Sequence, residues 1–516
     1  MRRSVGLAAS ILGVLFLLSR FLGFARDSLL ADLFGQGHAM NVYSVAYLLP
    51  DAIYSALVAG GVTSAFIPVL TRYVAEKQEE EAWQVISGAW NLTLLVMGSV
   101  AILLFALAPH WLAVLAPGFS PADHSRAVML TRLMVWSMLL NSLAAILVGV
   151  QNAHRSFTAT GLGPVAYNLT IIGLGLALNH SFGLTGFAAA VTLGAGANLL
   201  IQLLGTRPLR PHYRPTFGLS HPGLRRVGRL LLPILAINGA WQLSLVVNQS
   251  LLGSLEAPGV VNALALATRI NLVPVLLGTT AGISLLPAMT EELVLGSPAR
   301  LREVLGRAMR AIAFLVLPAG IGLIFLAQPL IALLFQHGHF GPGATAVTAS
   351  AVQFLAMGAL PLAEIEVVNR AFYAMEDTRT PLKAAIFYLV LAIGLDVLLV
   401  RLWGYRGLAL AYALGAYLNL ALLVYFLRPR LRGIEGHRLL GTLGKSLLAS
   451  LGMGLVLFFY TRLSLPTGPF IYRALLGLVL PAGLGAAVFV ALAAALRSEE
   501  LKYLRRLWGR RAATED

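Results

Sequence analysis

Residues 5–33 read VGLAASILGVLFLLSRFLGFARDSLLADL, an apolar segment that carries arginines at positions 20 and 26. About 20 such residues span the roughly 30 Å of hydrocarbon in a bilayer, and no turn signal interrupts this segment. A charged side chain near the bilayer centre costs at least about 2.5–3.5 kcal/mol, so Arg20 and Arg26 are expected to face a wet cavity or a partner. No small-residue cleavage site precedes Arg20. The segment is therefore interpreted as the first membrane helix rather than a cleaved signal.

The rest of the chain has the composition of a membrane protein. It has 516 residues, of which 58% are hydrophobic and only 12% are charged, whereas a soluble protein carries about 25% charged residues. There is no cysteine, which excludes disulfides and thiolate chemistry. The sequence predicts an all-α polytopic membrane protein with about 14 transmembrane helices. Their approximate spans are 5–33, 41–70, 84–108, 126–150, 164–180, 185–205, 230–251, 260–290, 311–333, 345–370, 384–402, 407–427, 446–462 and 474–496.

The positive charges follow the predicted topology. The net charge is +16, and 29 of the 38 lysines and arginines fall on the termini and on alternate loops. Basic residues concentrate on the cytoplasmic side of membrane proteins, so both termini are expected to be cytoplasmic. The same charges favour contact with anionic lipid headgroups. No nucleic-acid partner is expected.

The first twelve predicted helices form two copies of one pattern. A shift of 219 residues places residues 42–68 over 261–287, and a shift of 217 places 152–164 over 369–381. Because six helices separate the copies, an even number, both copies have the same orientation in the membrane. The predicted domains are an N-lobe at residues 1–215 and a C-lobe at 216–432, surrounding a central cavity. Residues 433–516 add two helices, a candidate lipid-tail groove, and a basic tail.

Three arginines are the candidate ligands of an anionic cargo in that cavity. Arg269 lies in the apolar run 260–286, as Arg20 and Arg26 lie in theirs. The planar guanidinium fork suits phosphate, so the three are predicted to bind a diphosphate. Two alternatives stay open, namely snorkelling to an interface and an internal ion pair, for which Asp27 is the natural partner of Arg26.

Acidic and small residues supply further candidates. Membrane carboxylates can carry a proton or coordinate Na⁺, and candidate positions for the cavity or for ion coupling are Asp27, Asn41, Asp51, Glu364 and Asp396. For Asp396, five residues before Arg401, an interfacial position competes with an ion site. Small residues allow close helix packing or bending, and Gly60, Gly61, Gly278 and Gly282 are candidate hinges. Asn91, Asn141, Asn168, Asn238 and Asn248 are expected to form hydrogen bonds between helices.

Enzymatic motifs are not found in this sequence. It contains no Walker A motif, so ATP hydrolysis by the chain is not expected, and no HExxH or GxSxG motif. We expect a transporter without a bound cofactor or metal site, with coupling to membrane potential, H⁺ or Na⁺ as candidates.

The stretch Ser19-Arg20-Phe21-Leu22-Gly23-Phe24-Ala25-Arg26-Asp27 resembles a signature of the MurJ/MviN family. These are lipid II flippases of the multidrug/oligosaccharidyl-lipid/polysaccharide exporter (MOP) superfamily. Ala65-Phe66-Ile67-Pro68 resembles the second helix of that family, and residues 372–381 (FYAMEDTRTP) resemble one of its loops. The chain departs from the family at Tyr54 and Ser55, where arginines are frequent, and at Asn41, where an acid is common.

The resemblance implies a function and a site. The chain would move lipid II, a peptidoglycan precursor linked to undecaprenyl diphosphate, to the outer leaflet by alternating access, with Arg20, Arg26 and Arg269 in the cavity. It would be a monomer in the bacterial inner membrane and would serve cell-wall synthesis. The alternatives are export of another polyprenyl-linked glycan, export of drugs as in MATE transporters, and a membrane scaffold without transport activity.

Overall fold

The computed structural model contains helices and connecting turns throughout its described part. It describes residues 2–35, 37–57, 66–154, 156–209, 212–253, 259–294, 298–375, 377, 379–431, 433–463 and 469–501. The helices are α1 Arg2–Phe34, α2 His38–Leu57, α3 Ile67–Ala75, α4 Glu79–Leu115, α5 Pro121–Ala153, α6 Thr158–Phe182, α7 Leu184–Thr206, α8 Pro222–Gly253, α9 Val260–Val294, α10 Pro298–Phe335, α11 Pro342–Ala356, α12 Ala359–Ala374, α13 Arg379–Arg430, α14 Gly436–Leu463, α15 Phe470–Ala474 and α16 Leu480–Ala495.

These helices confirm the predicted fold class. Each of the fourteen predicted spans falls on one helix, on half of α13, or on a short pair such as α2 with α3. Within the described residues, nine helices are long and apolar enough to cross a membrane, and the bent pair α11 and α12 raises this to ten. The nine include α13 as a single helix, although Gly404 divides it into the two spans predicted at 384–402 and 407–427. The protein is therefore a multi-pass membrane protein.

The helices form two compact units. Unit 1 comprises Met1–Val261 and unit 2 comprises Asn262–Asp516. Helix α8 belongs to unit 1, where it packs against α2 and α4. The sequence division at 215/216 follows the internal repeat, whereas the structural division follows packing and lies one helix later. The assignment of lobes from the repeat stays a prediction.

Two glycine turns show that the units repeat one pattern. Gly183 joins α6 to α7 with φ 52°, and Gly404 breaks α13 with φ 59°. Only glycine adopts this left-handed conformation without cost. Three residues later, a Cβ on Gly186 would lie 3.1 Å from the carbonyl oxygen of Leu178, and one on Gly407 would lie 1.9 Å from that of Leu399. Each pair of equivalent residues is 221 positions apart, so the same turn recurs in both units close to the predicted offsets of 217 and 219.

Polar side chains join the helices of unit 1. The Asn198 amide donates to Oδ1 of Asn141 over 3.0 Å, and Gln151 Nε2 donates to the Gln202 carbonyl over 2.9 Å. The Asn168 amide donates to the Ser19 carbonyl, and that of Asn238 to the Ala56 carbonyl. The interhelical bonds predicted for Asn141, Asn168 and Asn238 are therefore present, and the four bonds join α5 to α7, α1 to α6 and α2 to α8. The prediction for Asn91 is wrong, because its amide donates to the Thr216 carbonyl outside the helices over 2.8 Å.

In unit 2, the two added helices pack on α10. Phe314 of α10 contacts Phe489 of α16 with ring centroids 5.1 Å apart, inside a buried apolar cluster that also contains Met453 of α14. At one end of this cluster, the Arg310 guanidinium pairs with Glu435, which lies just before α14, and with Glu500 at 3.7 Å. Apolar packing and an ion-pair network thus fix the added helices to the unit.

Candidate functional site

Arg26 lies in unit 1 with most of its side chain covered, and it pairs with its neighbour. Its Nη2 lies 3.0 Å from Oδ1 of Asp27, and its Nε donates to the same oxygen over 3.2 Å. The ion pair that competed with a cavity role is therefore present. The Asp27 carboxylate occupies only one edge of the Arg26 guanidinium, because these two bonds involve Nε and Nη2 and not Nη1.

Helix α2 presents a polar face to Arg26. Tyr43, Tyr47, Asp51 and Tyr54 follow each other at intervals of four, four and three residues, which places them on one side of a helix. Arg26 lies within electrostatic range of Tyr43, Tyr47 and Asp51. A buried guanidinium and an exposed carboxylate therefore share this side of unit 1 with a row of phenols.

Tyr167 of α6 completes this group. Its hydroxyl lies 3.2 Å from that of Tyr47, and it too is within electrostatic range of Arg26 and Asp51. We call Arg26, Asp27, Tyr43, Tyr47, Asp51, Tyr54 and Tyr167 the Arg26 cluster. A guanidinium and phenolic hydroxyls all donate hydrogen bonds, which is the chemistry that phosphate oxygens require. The tyrosines were not among the predicted site residues, although their spacing in the sequence would have indicated them.

Arg20 is an exposed side chain of α1. It lies six residues before Arg26, about 9 Å along the helix axis. Next to it, the Ser19 backbone is bonded to Asn168, so this part of α1 is fixed against α6. Within the described residues no carboxylate pairs with Arg20, and its role in the cavity stays a prediction.

Arg269 belongs to unit 2. Its side chain is exposed on α9, while the adjacent Ile270 and Asn271 are buried. The Thr268 hydroxyl donates to the Leu264 carbonyl over 2.8 Å, one turn earlier in the same helix. A shared cargo for Arg269 and the Arg26 cluster stays a prediction.

The remaining polar candidates lie in separate places. Asn41 is buried in α2, and Glu364 is 3% exposed in α12. Within the described part, Oδ1 of Asn41 and Oε2 of Glu364 accept no hydrogen bond. Asp396 is 1% exposed and lies near Tyr388, and both the interfacial position and the ion site considered for it stay predictions. No group of three or more metal-binding side chains occurs among the described residues.

Of the candidate hinges, Gly278 lies at a close helix contact. A Cβ at this position would lie 2.3 Å from the carbonyl oxygen of Ala363 in α12. Gly278 therefore serves close packing of α9 on α12. Gly282 lies in α9, but the surroundings of this position are not among those described. Gly60 and Gly61 lie outside the described residues.

Comparison with known proteins places this architecture in one family. The family described as lipid II flippase MurJ matches residues 30–476. The lipid II flippase MurJ of Burkholderia cenocepacia is 29% identical over 433 residues, which cover 81% of this chain and 82% of that protein. The probable lipid II flippase MurJ of Vibrio cholerae is 28% identical over 425 residues, covering 80% of this chain and 81% of that protein.

Solved structures show the same fold. A lipid II flippase MurJ in an inward closed conformation matches with a TM-score of 0.78 at 21% identity, covering 94% of this chain and 98% of that one. An inward-facing MATE family transporter of the MOP superfamily matches with a TM-score of 0.69 at 17% identity, covering 80% of this chain and 94% of that one. The sequence match extends over most of the helices described above, and we conclude that this chain belongs to the MurJ family of lipid II flippases.

Proposed function

We propose that this chain moves lipid II from the cytoplasmic to the outer leaflet of the bacterial inner membrane. The observation that carries the proposal is the match of the lipid II flippase family to residues 30–476, which include Arg269 and the cluster residues from 43 onward. Lipid II presents a diphosphate between its glycan and its polyprenyl tail. A carrier of this lipid needs hydrogen-bond donors for the diphosphate and a path for the tail along the bilayer.

Arg20, Arg26 and Arg269 are the proposed ligands of the diphosphate. The contacts of Arg26 support this role, because Asp27 takes Nε and Nη2 and leaves the other edge of the guanidinium for an anion. The nearby phenols add further donors, because the Tyr47 and Tyr167 hydroxyls lie 3.2 Å apart and only one of them can donate to the other. Charge-assisted hydrogen bonds of this kind are roughly twice as strong as neutral ones.

Transport would proceed by alternating access of the two lobes. The added helices at residues 433–516 would hold the polyprenyl tail, which has to remain in hydrocarbon. Both termini would be cytoplasmic and the working unit a monomer. Membrane potential, H⁺ or Na⁺ would reset the empty carrier, with Asp51, Glu364 and Asp396 as the carboxylates available for an ion.

The test is complementation of cells depleted of their own lipid II flippase, with an assay for lipid II in the outer leaflet. Wild type is expected to restore growth and transport, and Arg20→Ala, Arg26→Ala and Arg269→Ala are expected to fail at matched membrane levels. Arg126→Ala is the matched control, because Arg126 is an exposed arginine near the start of α5. Failure of well-expressed wild type would contradict the cargo. Rescue by the three variants would contradict the site alone.

A double-mutant cycle separates the two roles of Arg26. If Arg26 only neutralises Asp27, the Arg26→Gln variant should recover when Asp27→Asn is added, since no buried charge then lacks its partner. If Arg26 binds the diphosphate, the double variant should transport as poorly as Arg26→Gln. Asp27→Asn alone should retain transport in the second case. Initial rates in proteoliposomes decide between the two results.

A further inference from the structure

A groove in unit 1 contains an arginine that the proposed site does not use. It lies between α4, α5 and α7 and has a volume of about 650 Å³, and the residues that line it include Ser125, Arg132, Leu133, Ala189, Thr192 and Leu193. This volume is in the range of ligand pockets, about 300–1,000 Å³. Phe105, Met129, Trp136 and Leu193 are exposed apolar side chains, as expected of a surface that contacts hydrocarbon.

The position of the groove along α5 and α7 indicates its depth in the bilayer. Arg132 lies eleven residues after the start of α5, about 16 Å, and Thr192 lies eight residues after the start of α7, about 12 Å. Both helices start at the same end of the unit, where α4 and α6 finish. In the predicted topology this end is the outer one, so the groove lies within the outer leaflet.

Arg132 is held in place by a carbonyl group that a proline has freed. Its Nε donates to the Phe105 carbonyl over 3.3 Å, and its guanidinium lies 5.1 Å from the centre of the Phe105 ring. Proline at position 109 has no N–H, so the helix itself cannot supply the usual bond to the Phe105 carbonyl. One of the five N–H donors of Arg132 is thereby used.

The remaining four N–H donors of Arg132 can bind an anion. Within the described residues no carboxylate pairs with Arg132, and none is among the side chains that line the groove. A guanidinium at this depth is costly unless a counter-charge or water accompanies it. Ser125 lies seven residues before Arg132, about two turns toward the outer end of α5, and adds a hydroxyl to the mostly apolar groove.

We propose that the groove binds an anionic phospholipid of the bilayer. The phosphate lies between the Arg132 guanidinium and the Ser125 hydroxyl, and one acyl chain packs against Leu133, Trp136 and Leu193. The side chain of a helical residue leans toward the helix N-terminus, so Arg132 points toward the outer headgroups. Lipid binding in this groove of unit 1 does not require the transported cargo, and the inference does not rest on the proposed function.

The test is native mass spectrometry of the purified full-length protein with phosphatidylglycerol or with phosphatidylcholine of the same chains. Wild type is expected to retain the anionic lipid at least about tenfold more strongly, a typical value for losing a hydrogen bond to a charged group. Arg132→Gln should reduce retention to the level of phosphatidylcholine, because the amide can still donate to the Phe105 carbonyl but carries no charge. Arg126→Gln is the matched control, since it makes the same charge change on the same helix and should keep the preference.

Two further comparisons test whether the lipid binds in the groove itself. Ala189→Leu narrows the groove without altering its charge and should weaken retention of both lipids, with thermal unfolding as the control for folding. Equal losses in Arg132→Gln and Arg126→Gln would mean that surface charge alone attracts the lipid, and would overturn the proposal. Retention of undecaprenyl diphosphate in preference to phosphatidylglycerol that is lost in Arg132→Gln would assign the groove to the transported lipid class and would overturn the proposal as well.

Discussion

At the scale of single residues, some charged side chains stabilise the fold through fixed partners, and others can bind a ligand. Asp377 belongs to the first group, although the loop that contains it is part of the family resemblance. Its Oδ1 accepts the backbone N–H groups of Arg379 and Thr380, each over 3.0 Å, and its Oδ2 pairs with Arg430. Asp377 thus joins the first turn of α13 to its last residue, Arg430. The Arg430 guanidinium also lies over the Phe372 ring.

Asp377 should make stability depend on pH. Burial alone would raise the pKa of Asp377, but the hydrogen bonds from Thr380 and Arg430 outweigh it and lower the pKa from 3.8 to about 2. A carboxyl whose folded pKa is depressed stabilises the fold above its unfolded pKa and loses this effect as pH falls through the folded pKa. Asp377→Asn should therefore lower the thermal midpoint at pH 7, and the difference from wild type should shrink below about pH 4. Unfolding curves in detergent between pH 7 and pH 2.5 measure this, and a constant difference would contradict it.

At the scale of helices, close contacts decide which glycines are replaceable. Gly278 touches the backbone of α12 at Ala363, whereas Gly394 of α13 has no atom within 4 Å of its Cβ position among the described surroundings. The two glycines lie in helices of the same unit but in different environments. The first has a packing role, and the second has none in the described structure.

Gly278→Ala should destabilise the protein by about 1–3 kcal/mol, the usual cost of overpacking. The methyl group would overlap the Ala363 carbonyl and force α9 away from α12. Gly394→Ala is the control, and it should be neutral or stabilising, by up to about 1 kcal/mol, because alanine favours helix. Thermal unfolding of both variants measures the contrast. Equal midpoints would show that α9 and α12 separate at no cost.

The ion pairs at the start of α14 make a second element-scale prediction. Arg310→Ala would remove the cation that Glu435 and Glu500 share, and would leave Glu435 only the exposed Arg438 at 3.5 Å. Breaking a largely buried pair costs about 3 kcal/mol or more. Arg307→Ala on the same helix removes only an exposed pair with Glu303 at 3.7 Å, which contributes at most about 0.5 kcal/mol.

Hydrogen exchange at the first turns of α14 is the measurement for this pair of variants. Exchange there should become faster in Arg310→Ala and remain near wild type in Arg307→Ala. Unchanged exchange in both would show that the apolar contact between Phe314 and Phe489 alone fixes the added helices.

At the scale of the whole molecule, two repeated units carry cationic side chains on membrane helices. Unit 1 contains Arg20 and Arg26, and unit 2 contains Arg269. In the proposed transport cycle, the carrier would move these charges through the membrane field when it returns empty. Each charge that crosses the full field changes the free energy by about 2.3 kcal/mol per 100 mV.

Collapse of the membrane potential should therefore slow lipid II transport. The proteoliposome assay with clamped potentials should show initial rates that rise with a potential of the cellular sign. Arg126→Gln should keep this dependence, because Arg126 lies outside the proposed cavity. Rates that stay the same at all potentials would contradict an electrical contribution to the resetting step.

The sequence by itself determined the membrane helices, the parallel repeat and the intramembrane arginines. These features are local or periodic, and the bilayer forces each apolar span of sufficient length into a helix because no water satisfies its backbone. The predicted positions of α1 and of the two halves of α13 accordingly agree with the structure within a few residues.

Only the tertiary structure decided which side chains meet. The approach of Tyr167 to Tyr47, the bond from Arg132 to the carbonyl freed by Pro109, and the packing of α8 with unit 1 join residues that are far apart in sequence. Hydrophobicity does not specify these contacts, because in a membrane both faces of a helix are apolar. Helix rotation and depth are set instead by close packing and by interhelical hydrogen bonds.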